Sequence, residues 1–121
     1  MSWIGVDLDG TLAEYDGWRG PEHIGKPVPA MMRRVRRWLA EGREVRILTA
    51  RVATPSQWLP IKLWLSEHDL DGIAVVCAKD EQMAELWDDR AVAVEKNTGR
   101  QLSDNSLFES APPPRGDGVE L

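Results

Sequence analysis

Cysteine is nearly missing from this chain. Cys77 stands alone, so no internal disulfide can form, and no Cys/His spacing matches a zinc site. His23 and His68 are isolated and carry no pattern of their own. No apolar run approaches the roughly 20 residues a membrane-spanning helix needs. The opening Trp3-Ile4-Gly5-Val6 follows no basic leader and begins no signal-type core. A cytoplasmic location without membrane partners is therefore the expectation. Cations are in the minority: 15 Lys and Arg face 20 Asp and Glu, a net charge of −5. That balance argues against broad nonspecific affinity for nucleic acid and leaves room only for a local basic patch. What is present suits one globular domain: 121 residues, 42% hydrophobic and 29% charged. A chain of this mass hides about two-thirds of its open-chain surface on folding, enough for a core without staples.

Along the chain, Trp3 to Val6 is a short apolar run that stops at a cluster of Asp and Gly, as a buried strand does. Residues 13–29 hold Gly17, Gly20, Gly25, Pro21, Pro27 and Pro29, a density of breakers that predicts a long excursion. From Val28 to Glu41 the apolar residues Val28, Met31, Met32, Val35, Trp38 and Leu39 recur at helical spacing, with Gly42 at the exit. Val45 to Leu48 reads as a second strand. A second helix is expected from Thr54-Pro55 to about His68, with Pro60 against its first half. Ile73 to Cys77 and Glu85 to Trp87 read as further strands, and Val92 to Val94 as a fifth, closing before Asn97-Thr98-Gly99. Such alternation predicts an α/β domain over residues 1–109, with a mostly parallel sheet and helices packed on its faces. The Pro- and Gly-rich residues 110–121 are expected to form a loosely held tail.

Ligands of open parallel sheets bind beyond the carboxyl ends of the strands. There this sequence places Asp7-Leu8-Asp9-Gly10-Thr11, then Thr49-Ala50-Arg51, then Lys79, then Asp88-Asp89. Each has an ordinary alternative. Asp9-Gly10 could be a tight turn and Asp7 or Asp9 a helix cap. A calcium-hand loop would need another Asp or Asn at 11 and a Glu at 18, where Thr11 and Trp18 stand. Thr49 could cap a turn, Lys79 could be a surface lysine with Lys62 as its rival, and Arg51 could touch substrate or pair with a nearby acid. Asp88-Asp89-Arg90 could be a surface charge cluster, an odd end for a buried strand.

Asp7-Leu8-Asp9-Gly10-Thr11-Leu12 resembles the first motif of the haloacid dehalogenase superfamily of aspartate-nucleophile phosphotransferases. Ile47-Leu48-Thr49-Ala50-Arg51 resembles the second, Lys79 the third and Asp88-Asp89 the fourth, in order across most of the chain. Small capless members, often phage-like, are the nearest in pattern, through Gly25-Lys26-Pro27 and Trp87 to Ala91. The resemblance implies a three-layer Rossmann-like fold and a Mg²⁺-dependent phosphomonoester hydrolase. Asp7 would be the nucleophile and Asp9 the acid and base. Thr49 and Lys79 would hold the phosphoryl group. Asp7, Asp9, through its backbone carbonyl, and Asp89 would bind metal, with Asp88 in support. Gly10, Thr11, Ala50, Arg51 and Trp18 are further candidates for contact with substrate.

Neither residues 12–29 nor the turn near Asp69-Leu70-Asp71-Gly72 could fold into a cap domain, so the site is expected to be open unless a second protomer or the tail covers it. An open site suits a nucleotide, a nucleic-acid end or a phosphoprotein, with small phosphoesters also admitted. Trp18, with Tyr15 nearby, could stack a base or anchor its loop. Arg33, Arg34, Arg36 and Arg37 could hold a nucleic-acid backbone, although a solvated helix face accounts for them more simply. A metal- or phosphate-binding module without useful turnover is the alternative from another class.

Overall fold

The computed structural model describes residues 1–53 and 55–102, with residues 53 and 55 described by backbone alone. Thr54 and the expected tail and its boundary lie outside the described residues. The chain divides into two compact units, residues 1–89 and 90–121.

The first unit is an α/β fold. Strands β1 (Trp3–Val6), β2 (Glu44–Leu48), β3 (Ala74–Val76) and β4 (Met83–Trp87) form one sheet in the order β3-β2-β1-β4, all parallel. The central strand β1 is buried along its whole length, which is why it reads as an uninterrupted apolar run. Register pairs Ile4 with Val45 and Val6 with Ile47, so these four side chains share one face.

Helix α1 (Pro29–Ala40) lays Met31, Met32, Val35 and Trp38 into the core with that face. Pro29 sits in the first turn, where its missing N–H breaks no helical bond. Gly42, at φ 82°, ends the helix in the left-handed region, and the Arg43 amide returns to the Trp38 carbonyl at 2.9 Å. Helix α2 (Trp58–Glu67) adds Ile61, Trp64 and Leu65 to the same core. Two 3₁₀ turns, Ala50–Ala53 and Pro55–Gln57, precede it, so the α-helical part starts later than Thr54-Pro55 implied. Pro60 is then its third residue, inside the first turn and harmless there.

The link from β3 to β4 is short and joins opposite edges of the sheet. It passes the face bearing Trp3 and Arg46: Asp80 accepts the Trp3 indole N–H at 2.8 Å and lies 3.6 Å from the Arg46 guanidinium, which sits 4.5 Å over the Trp3 ring. Among the described residues both helices pack on the Ile4–Val6 side. None is long and apolar enough to cross a membrane.

In the second unit the expected strand at Val92–Val94 does not form. Val94 makes one isolated antiparallel bridge to Gln101, around a turn with Asn97 and Gly99 at positive φ. Val92 and Val94 remain 60% and 56% exposed, so this short apolar run has no sheet face to bury against.

Candidate metal and phosphoryl site

β1 and β4 are neighbours and both end at acids. The Asp7 amide donates to the Trp87 carbonyl at 2.9 Å, which continues the ladder one step and delivers Asp7 beside Asp88 and Asp89. One ligand oxygen from each of Asp7, Asp88 and Asp89 lies within 4.8 Å of the others.

The loop after Asp7 is wound tightly to make this possible. Leu8 accepts from the amides of Thr11, Leu12 and Ala13 at 3.2, 3.0 and 2.9 Å, and the Gly10 amide reaches the Ala13 carbonyl at 2.8 Å. Gly10 has φ 93°, and a Cβ there would meet the Asp89 carboxylate at 2.6 Å. Only glycine gives both the backbone conformation and the clearance. Thr11 fixes Asp89 from the other side: its hydroxyl donates to Asp89 Oδ1 and accepts the Asp89 amide, each at 2.9 Å.

Burial, the Asp88 charge and a hydrogen bond with Asp89 push the Asp7 carboxyl up from 3.8 to about 7. Asp89 also raises it by charge, against a lowering bond from the Leu8 backbone. The arrangement costs free energy unless a proton or a cation offsets the charge. Three carboxylates are hard oxygen donors, the set that Mg²⁺, Ca²⁺ or Mn²⁺ takes. Asp7, Asp88 and Asp89 therefore fit a divalent cation.

Asp9 is not part of that cluster. Its two carboxylate oxygens accept from Arg51 Nε and Nη2 at 2.7 and 2.9 Å, a bidentate fork. Arg51 is only 7% exposed, and it also donates to the carbonyls of Pro21 and His23 at 3.1 and 2.8 Å. Trp18 lies over its guanidinium at 4.8 Å. Arg51 thus ties Asp9 to the tip of the breaker-rich excursion. The base of that excursion closes through Glu14 to Lys26 and Val28 to Leu12 amide–carbonyl bonds, both 2.8 Å.

The other candidates are placed as follows. Thr49 is buried at the end of β2, and its hydroxyl accepts the Arg51 amide at 3.1 Å, which caps the 3₁₀ turn and leaves its own proton to donate. Ala50 is exposed in that turn. Lys79 is exposed between β3 and β4. Lys62, on α2, donates to the Ile73 carbonyl at 2.9 Å.

Arg34 differs from the solvated face expected of it. It is half-buried, 5.2 Å over the Trp87 ring, and helps line an open cavity of about 340 Å³ with Gly10, Thr11, Trp87, Asp88 and Asp89. Its position one turn after Ala30 and Met31, on the edge of the apolar stripe, was the signal available. Neither a protein-family model, nor a curated protein, nor a solved structure matches the chain.

Proposed function

We propose that this chain is a haloacid dehalogenase-like, Mg²⁺-dependent phosphomonoester hydrolase working from the cytoplasm through an aspartyl-phosphate intermediate on an open site. The observation that carries the reading is Asp7 held between Asp88 and Asp89 at adjacent strand ends. A three-layer arrangement belongs to the same proposal and would need helical cover on the Trp3–Arg46 face.

The electrostatics explain why a cation is required. A phosphomonoester dianion near a carboxylate at about 4 Å is repelled by roughly 4 kcal/mol per charge pair at an effective dielectric near 20. Mg²⁺ held by Asp7, Asp88 and Asp89, with the Asp9 carbonyl as the further ligand the resemblance implies, would offset that repulsion and polarise the phosphoryl oxygens.

The protein's own residues would then act in two steps. An Asp7 carboxylate oxygen attacks phosphorus, the ester bond breaks, and Asp9 gives its proton to the departing oxygen. Water, deprotonated by Asp9, next attacks the phosphorus of the aspartyl-phosphate, which returns Asp7 as a carboxylate and releases phosphate. Thr49 has a hydroxyl proton for the phosphoryl oxygens, and Lys79 would add its charge there. Both Asp9 oxygens accept from Arg51, so that fork would have to loosen for Asp9 to exchange a proton with substrate and water.

The test is Mg²⁺-dependent phosphate release from an aryl phosphate, with Ca²⁺ as the comparison metal. Wild type should turn over with Mg²⁺, and Asp7→Asn should lose turnover while keeping its far-ultraviolet circular dichroism. Turnover by Asp7→Asn at the wild-type rate would overturn the assignment. The Asp9–Arg51 fork favours one other reading, a metal- or phosphate-binding module without turnover; metal binding with no hydrolysis across a broad phosphoester panel would establish it.

A further inference from the structure

We infer that the open face of Trp18 is a stacking platform for a nucleobase, so that the site takes a nucleoside monophosphate; this rests on the phosphomonoester reading of the same site. Trp18 is 54% exposed although it is a large aromatic in a loop. One face of its indole is occupied, by the Arg51 guanidinium at 4.8 Å. That guanidinium is itself fixed, forked onto Asp9 and bonded to the carbonyls of Pro21 and His23. The ring is therefore presented on a rigid, buried cation and not on a mobile side chain. Cation–π contact holds the indole at little further entropic cost, which is the condition under which stacking adds affinity.

The platform is also in the right place. The guanidinium beneath it grips Asp9, two residues on from Asp7, so the platform is tied to the same loop that carries the proposed nucleophile. If Trp18 served only to anchor its loop, it would be covered; the loop is already held by the Arg51 bonds, by the amide–carbonyl pairs at its base and by the Trp64 indole N–H on the Gly25 carbonyl at 3.0 Å. Stacking is tolerant of base identity because every base has a π-face. The net charge of −5 opposes a polyanion and favours a single nucleotide over an oligonucleotide end.

The test is calorimetric binding of adenosine monophosphate, ribose 5-phosphate and a 5′-phosphorylated trinucleotide to the full chain with Ca²⁺, comparing wild type, Trp18→Ala and Trp18→Phe. Wild type should bind adenosine monophosphate roughly 5- to 150-fold more tightly than ribose 5-phosphate. Trp18→Ala should erase that ratio while leaving ribose 5-phosphate affinity in place, Trp18→Phe should keep most of it, and the trinucleotide should bind no more tightly than the mononucleotide. Equal wild-type affinities, or a preference that survives Trp18→Ala, would overturn the platform. A loss of both ligands together in Trp18→Ala would show a loop anchor and overturn it too. Tighter binding of the trinucleotide would overturn the choice of a single nucleotide. Absence of hydrolysis refutes the phosphatase reading separately, because the base preference is read from binding.

Discussion

Replacing Asp7 by Asn should stabilise the metal-free protein, although Asp7 is the residue on which the proposed chemistry turns. The Asp7 carboxyl is raised from 3.8 to about 7 by burial and by its two acidic neighbours. A group bound to its proton more tightly in the folded than in the unfolded chain favours folding fully below the unfolded value, and that contribution is lost as pH rises through the folded one. The loss therefore accumulates between about pH 4 and pH 7 and is complete above. Such a rise corresponds to about 4 kcal/mol without screening; for a half-buried group solvent cuts this to on the order of 1–2 kcal/mol. Asparagine carries no charge at any of these pH values. Asp7→Asn should thus exceed wild type by on the order of 1–2 kcal/mol at pH 8 in chelator, by about a third of that at pH 5, and by little near pH 4. Urea unfolding monitored by tryptophan fluorescence reads this directly, and at a chain of this size the pH 8 difference is about 4–8 °C in Tm. Saturating Mg²⁺ should narrow the gap by stabilising wild type. An equal gain at pH 5 and pH 8, or a less stable variant at pH 8, would refute the reasoning.

Two further substitutions test the supports of the site. Thr11→Val removes the hydroxyl that both donates to and accepts from Asp89; the Mg²⁺ concentration for half-maximal binding should rise about 10-fold, measured by titration calorimetry, and an unchanged value would show that Asp89 needs no such orientation. Arg51→Lys keeps the charge but cannot reproduce the fork on Asp9 or the bonds to Pro21 and His23. It should cost on the order of 2 kcal/mol in urea unfolding and lower hydrogen-exchange protection across residues 15–25, and unchanged protection there would contradict the role of Arg51 as the tie.

The strands and helices of the first unit were legible because burial writes itself into the sequence: β1 is apolar throughout, and α1 repeats at helical spacing. The order of the strands was not, since nothing local states that β4 lies beside β1. That adjacency turns Asp7 and Asp88-Asp89, far apart in the chain, into one group of carboxylates. Val92 to Val94 misled for a related reason. A short apolar run becomes a strand only where a sheet edge receives it, and the bridge to Gln101 is no such edge. At the site, Arg51 was open between touching substrate and pairing with an acid; the structure pairs it with Asp9 and bonds it to the Pro21 and His23 carbonyls, partners that only long-range folding brings together. Lys79 shows the opposite limit: its place in the motif order is clear from sequence, but where a long, exposed side chain reaches is not written there.

The most direct measurement of the central claim is mass spectrometry of the Asp9→Asn variant, quenched in acid after mixing with Mg²⁺ and an aryl phosphate. Asp9→Asn removes the group that activates water, so the intermediate should accumulate. One phosphoryl group on the peptide containing Asp7, absent without Mg²⁺ and absent when Asp7 is also replaced by Asn, is the predicted result. Phosphate release by wild type with Asp7 never labelled, or a phosphoryl group on some other residue, would contradict it.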